Sequence, residues 1–265
     1  MSDLEREYSP SSRAGGSAAP YVADWQARSE AARVSLGQRV RGLPGGSLLV
    51  PAAAGAPLLV FVHGGYWQAL SASESLYLAP PAVALGWSYA AVEYTIAPAG
   101  DLPTMIDEVA VALRSAVEAA EPRAVVLVGH SAGAHLVSMV ALAHEPPVPV
   151  TRAVLLSGVY DLRPIVMTTV NDPLGLDLTA AERLSPMLLP TTSAAVGPSP
   201  EVTVAWGDAD TDAFEAQSTA YAAVLRRAGL EVAALRCEGR HHFDIVDDIV
   251  DPATELGALT LGGLT

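Results

Sequence analysis

A single cysteine, Cys237, stands in the 265 residues of this chain. That excludes an intrachain disulfide framework and a cysteine-built zinc site. Charge is scarce too, at 17% of residues against 51% hydrophobic ones. A disordered chain needs the reverse balance, so a packed core is expected. Basic residues are outnumbered: 15 Lys and Arg face 29 Asp and Glu, and 15 − 29 gives a net charge of −14. A surface of that sign repels phosphate backbones and anionic headgroups, so no nucleic acid and no membrane is an expected partner. The longest apolar stretch, 48–62, is broken by Pro51, Gly55 and Pro57. It falls short of the roughly 20 residues a membrane helix needs. The opening Met-Ser-Asp-Leu-Glu-Arg-Glu has no basic start and no apolar run, unlike a secretory signal. A cytoplasmic location is therefore expected.

What the chain does have is alternation. Short apolar runs at 57–62, 89–94, 124–128, 153–157, 202–206 and 231–236 predict strands. Several are apolar throughout, as strands covered on both faces must be. Between them lie helical patterns. Over 101–121 the apolar residues Leu102, Met105, Ile106, Val109, Leu113 and Val117 form one stripe, with Asp101 as N-cap. Over 212–228 Phe214, Tyr221 and Leu225 share a face and Gly229 supplies the stop. The segment 132–144 is apolar almost all round and must be buried, and a further helix is expected over 22–36. The fold class is thus α/β: one domain over 21–265, with a mostly parallel central sheet flanked by helices. Residues 1–20, rich in Ser, Gly, Ala and Pro towards their end, are expected to form a loosely held segment. The Pro-rich stretch 163–200 is expected to form a short irregular cap.

Gly129-His130-Ser131-Ala132-Gly133 matches the G-x-S-x-G nucleophile elbow. An apolar strand runs into it and an apolar helix leaves it. The strained strand–turn–helix needs small residues beside the serine and lifts its hydroxyl above the sheet. A serine at its ordinary pKa is a poor nucleophile, so it needs a base held by a third group. In this architecture the order along the chain is Ser, then Asp or Glu, then His. Asp208, Asp210 and Asp212 follow the strand at 202–206, and Asp210 leaves enough loop to turn back towards a histidine. Asp212 is suited to capping the next helix and Asp208 to the turn. His241 and His242 follow the strand at 231–236, and one of them is the base, whereas His144 closes the helix that starts at the elbow. After the strand at 57–62 comes His63-Gly64-Gly65-Tyr66-Trp67. Its glycines let backbone amides approach an oxyanion, so Gly64 and Gly65, with the Ala132 amide, form the expected oxyanion hole. His63 is expected to orient this loop.

Together with Ile96-Ala97-Pro98, Ser157-Gly158-Val159-Tyr160-Asp161-Leu162, His242-Phe243-Asp244 and the Tyr-Ser-Pro-Ser at 8–11, these motifs resemble the kynurenine formamidase family. That is the arylformamidase branch of the α/β-hydrolases with the HGGxW signature. The resemblance runs from about Val60 to Ile249. It implies a catalytic triad of Ser131, Asp210 and His242: Phe214, Gln217 and Ser218 behind the acid match the family's acid loop, and the His-Phe-Asp run selects His242 over His241. It implies hydrolysis of an aryl formamide, typically N-formyl-L-kynurenine, to the arylamine and formate through a formyl-serine. No cofactor and no metal is called for. Tyr66, Trp67 and Tyr160 are expected to border the substrate and bound its acyl side. The partners expected are a small aryl formamide or ester and, in a homodimer, a second copy of the chain. Two alternatives stand beside this reading: a general small-acyl carboxylesterase, and a non-catalytic binding protein of the same fold.

Overall fold

Strand sequences that are apolar on both faces can persist only between two layers of helix, and the fold follows from that. The computed structural model describes residues 2–191 and 199–264. In chain order its helices are α1 (Asp3–Glu7), α2 (Ala19–Leu36), α3 (Ala79–Ala84), α4 (Leu102–Ala120), α5 (Ala132–Ser138), α6 (Leu178–Arg183), α7 (Asp212–Arg227) and α8 (Glu255–Leu261). The strands are β1 (Arg41–Gly42), β2 (Leu48–Val50), β3 (Leu58–Val62), β4 (Ser88–Val92), β5 (Val125–His130), β6 (Arg152–Leu156), β7 (Glu201–Gly207) and β8 (Val232–Cys237). They form one eight-stranded sheet in the order β1-β2-β4-β3-β5-β6-β7-β8. The pairs from β4 to β8 are parallel, and β1 and β2 add an antiparallel edge.

Alternation along β3 divides the core into two layers. Leu58, Val60 and Val62 pack on one side with residues of α4, α5 and α7. Leu59 and Phe61 pack on the other with α2, α3 and α8. The α4 stripe is buried where the spacing placed it, and Asp101 Oδ1 accepts from the Thr104 amide at 2.9 Å. The buried helix after the elbow is α-helical only to Ser138. Its last turn, Met139–Ala143, is a π-helix, so the His144 amide reaches back to the Met139 carbonyl at 3.0 Å.

The N-terminal segment departs from the expectation. Residues 3–13 are not a loose tail: α1 and a 3-10 turn (Pro10–Arg13) are docked on the body of the fold. Buried Tyr8 explains the docking, because its hydroxyl accepts from Gln217 Nε2 at 3.0 Å while the hydroxyl of Thr211 donates to the Glu7 carbonyl at 2.5 Å. The stretch expected as a cap holds short turns, Arg163–Met167, Thr169–Asn171 and Pro186–Leu188, around α6. Its residues 192–198 lie outside the described residues. Among the described residues no helix is long and apolar enough to cross a membrane.

Candidate active site

Every group singled out for chemistry follows the carboxyl end of a parallel strand, the edge where α/β sheets place their sites. His63 follows β3, Ser131 follows β5, Asp210 comes three residues after β7 and His242 five after β8. Register aligns these ends: Val62 pairs with Gly129, and His130 with Leu156.

Ser131 sits at φ 55, ψ −117, a region that a side chain adopts only under constraint. The constraint is close packing. A Cβ on Gly129 would lie 2.3 Å from the Gly133 carbonyl oxygen, and one on Gly133 2.1 Å from that of Val62. Both elbow glycines are therefore required by space.

Asp210 and His242 meet as a buried pair. His242 Nδ1 lies 3.0 Å from Asp210 Oδ1, and the Ser157 hydroxyl donates to Asp210 Oδ2 at 2.6 Å. Burial pushes the Asp210 carboxyl up, but the adjacent His242 and the hydrogen bonds from His242 and Ser157 outweigh it, leaving the carboxyl below its ordinary value. An ionised carboxylate only accepts, so the His242 proton sits on Nδ1 and Nε2 is left as the basic nitrogen. The ring is wedged edge-on against Phe214 at 4.7 Å, and its own carbonyl lies 2.8 Å from His130 Nε2. Burial foremost drives the His130 pKa down to about 3, so this second imidazole stays neutral and serves as a donor.

The neighbouring histidine is differently engaged. His241 Nδ1 accepts from the Phe243 amide at 3.1 Å, and its ring packs against Tyr21. Asp208 lies in the turn, and Asp212 opens α7 as an exposed partner of Arg13 while Thr211 occupies the N-cap position.

The glycine loop is oriented from behind. The Tyr94 hydroxyl contacts the carbonyls of His63 and Gly64 at 3.0 and 3.1 Å, and His63 Nδ1 lies 2.9 Å from the Gly64 carbonyl. In a trans peptide the following N–H points opposite to the carbonyl, so the Gly64 and Gly65 amides face away from Tyr94. Among the described residues neither they nor the Ala132 amide has a protein acceptor. Gly64 lies against the nucleophile: a Cβ there would be 3.0 Å from Ser131 Cβ.

A cavity of about 560 Å³ opens over Ser131 and His242. Gly65 and Tyr66 form part of its wall, and Tyr8, Trp25 and Phe243 supply apolar surface. Trp67 and Tyr160, expected to border the substrate, do not line it. Both are fully buried in the core: Trp67 stands edge-on to His135 at 5.1 Å, and Tyr160 stacks on Tyr221 at 4.2 Å. Their size and apolar area draw them inward, and the chain direction after Tyr66 permits it. Tyr66 instead hydrogen-bonds the Tyr8 carbonyl at 2.6 Å, tying the N-terminal segment to the glycine loop.

Residues 59–244 match the family model of the alpha/beta hydrolase fold. A kynurenine formamidase of Danio rerio is 38% identical over 200 residues, covering 74% of this chain and 68% of the relative. The chain belongs to the kynurenine formamidase family. A second member, from Salmo salar, is 33% identical over 98% of this chain and 95% of its own length. The family likeness therefore includes the N-terminal third, where the sequence motifs were weakest. A solved structure from Silicibacter sp. tm1040, provisionally described as a thioesterase, has a TM-score of 0.83 and 28% identity over 98% of this chain and 99% of that one.

Ser157, His130, Tyr94 and Tyr8 were not read as site residues from the sequence. Ser157 had a usable signal: it follows β6, the strand between those that lead to Ser131 and Asp210. Tyr8 stood in the Tyr-Ser-Pro-Ser motif, but its partners Tyr66 and Gln217 lie 58 and 209 residues away, so its place at the site had no local signal. Among the described residues no cluster of three or more His, Cys, Asp or Glu side chains is placed to hold a metal ion.

Proposed function

We propose that this protein hydrolyses aryl formamides, N-formyl-L-kynurenine among them, to the arylamine and formate, and that it does so in the cytoplasm. The observation that carries the reading is the elbow serine sharing one cavity with a histidine whose Nδ1 is 3.0 Å from a buried carboxylate, in a chain 38% identical to a kynurenine formamidase.

Ser131 Oγ attacks the formyl carbon as its proton passes to His242 Nε2. Asp210, held by Ser157, stabilises the imidazolium that forms. The former carbonyl oxygen takes the negative charge and is met by the amides of Gly64, Gly65 and Ala132. The intermediate collapses with cleavage of the C–N bond, and His242 delivers its proton to the departing arylamine nitrogen. An arylamine leaves more readily than an alkyl amine, so an esterase-like site suffices. Water then attacks the formyl-serine with His242 as base, and formate departs with the Ser131 hydroxyl restored.

The test is turnover of N-formyl-L-kynurenine, read by kynurenine absorbance, beside nitrophenyl acetate, with Ser131→Ala as the blank. Formamide turnover lost in the blank supports the reading. Ester turnover alone would move the protein to the small-acyl carboxylesterase class, and absence of fluorophosphonate labelling at Ser131 would make it a binding protein.

A further inference from the structure

The cavity above Ser131 carries fixed charge of one sign. Glu5 and Glu74 line it together with Ser131 and His242, and among the described residues no arginine does. The chain has no lysine at all, its 15 cations being arginines. Three arginines close in sequence to the cavity wall are already paired: Arg6 with Asp3 at 3.0 Å, Arg13 with Asp212 at 2.9 Å, and Arg28 with Asp247 at 3.0 Å. Arg33 lines a separate groove together with Glu30, to which Glu74 and Gln26 also contribute. His130, the other ring in the wall that could become cationic, is held neutral by burial, with its pKa pushed down to about 3.

The two carboxylates are fixed in place without being used up. Glu5 accepts from the Thr169 amide at 3.1 Å and from the Thr169 hydroxyl. Glu74 accepts from the Ser71 hydroxyl at 2.5 Å and from Gln26 at 3.4 Å. A carboxylate offers about four lone-pair sites, so each retains capacity for a ligand. Burial pushes the Glu74 carboxyl up, but those hydrogen bonds bring it below its ordinary value, so it is ionised at neutral pH. The whole molecule, at −14, adds a field of the same sign, and a cleft with low-dielectric walls focuses such a field.

We propose that this cavity selects aryl formamides whose side chain ends in an ammonium group and discriminates against those ending in a carboxylate, with Glu5 and Glu74 as the specificity-determining residues. The inference rests on the reading of Ser131 as an aryl formamide nucleophile. It adds a consequence. N-formyl-L-kynurenine carries both charges, and the cavity meets its ammonium while leaving its carboxylate without a cation. The same skeleton lacking the carboxylate is therefore the better substrate.

The experiment uses one formanilide core with a ketone side chain ending in ammonium, methyl or carboxylate, beside N-formyl-L-kynurenine itself. kcat/KM is measured for the full-length enzyme and for Glu5→Gln and Glu74→Gln, at low and high salt. The ammonium substrate is expected to exceed the methyl one, and the methyl one the carboxylate one, by about tenfold at each step. The zwitterion should fall below the ammonium substrate, and salt should compress the series. In the Gln variants the ammonium-to-carboxylate ratio should shrink. Because a ratio is read, loss of folded enzyme cancels. Equal or reversed preference in the wild type, or a ratio unmoved in both variants, overturns the proposal. The same three side chains on aryl acetates separate the two readings. Charge order on the esters without formamide cleavage keeps the charge selection and removes the formamidase reading, whereas formamide cleavage without charge order does the opposite.

Discussion

Replacing Gly64 by alanine separates the oxyanion loop's role in chemistry from its role in folding. The glycine's φ is not positive, so alanine can adopt the backbone without strain. The added methyl would sit 3.0 Å from the His130 carbonyl oxygen and from Ser131 Cβ, and 3.2 Å from His130 Nδ1. Each neighbour must yield by a few tenths of an ångström, and those neighbours are the nucleophile elbow itself. Overpacking of this size costs about 1–3 kcal/mol, a fall in Tm of roughly 2–4 °C for each kcal/mol. The kinetic cost should be larger. A 1 Å misplacement at a reacting centre costs about 10²-fold, and loss of one oxyanion donor about 10²–10³-fold. Partial displacement of both predicts a kcat lower by roughly 10²-fold. Tm, kcat on an activated ester and the rate of fluorophosphonate labelling are measured on the same preparation. A kcat within about threefold of wild type would refute the assignment of this amide to the oxyanion hole. Gly65→Ala is the contrast: φ is +94 and the Cβ would lie 2.2 Å from the Ala69 carbonyl oxygen, so that variant should lose stability first.

Trp67→Ala should destabilise by about 3–5 kcal/mol and leave the acyl-length profile unchanged; a widened profile with intact Tm would return Trp67 to the pocket. Ser157→Ala strips a charged acceptor of its donor and should cost about 1.5–3 kcal/mol in denaturant unfolding, with a smaller kcat loss than Ser131→Ala. An unchanged midpoint would mean that Asp210 does not depend on that hydroxyl. Tyr66→Phe removes the bond to the Tyr8 carbonyl and should raise KM by about two- to tenfold with kcat little changed; a kcat loss without a KM change would contradict this. Burial drives His130 and His135 down to about 3 and 4, so below about pH 6.5 the unfolded chain binds the extra protons and stability falls as pH falls, by about 1.4 kcal/mol per unit for each histidine. His135→Gln should flatten that slope by one proton between pH 6 and 4.5, and a slope as steep as wild type would mean that His135 is not held neutral.

The central architecture was legible because its signals are periodic. All six strands expected from apolar runs are present within two residues of their expected ends, and so are the helices expected over 101–121 and 212–228; the one expected over 22–36 starts three residues earlier, at Ala19, and the one expected over 132–144 is α-helical only to Ser138. The edge strands β1 and β2, of two and three residues, are too short to show a period. The residues that border the cavity were legible where they follow strand ends in fixed motifs, as with Ser131 and the glycine loop. Between His241 and His242 the position after β8 did not choose, and it was the family's His-Phe-Asp run that pointed to His242. In the structure His242 is the one that contacts Asp210. Trp67 and Tyr160 show the converse limit. Proximity to a motif in sequence says nothing about which face a side chain takes, and large aromatic surfaces favour the interior.

The docked N-terminal segment sets an order on the molecule's completion. Glu7 and Tyr8 leave the ribosome well before their partners Thr211 and Gln217, which lie 204 and 209 positions further on. At synthesis rates of about 5–20 residues per second, the first wall of the cavity waits roughly 10–40 s for the surface it rests on. The elbow strand and its helix appear part-way through that interval, ahead of the acid loop and the base. The surface that holds Tyr8 is thus made together with the acid, while His242 follows 25 residues behind Gln217, so a nascent chain carries no assembled hydrolytic centre until its final strands have emerged.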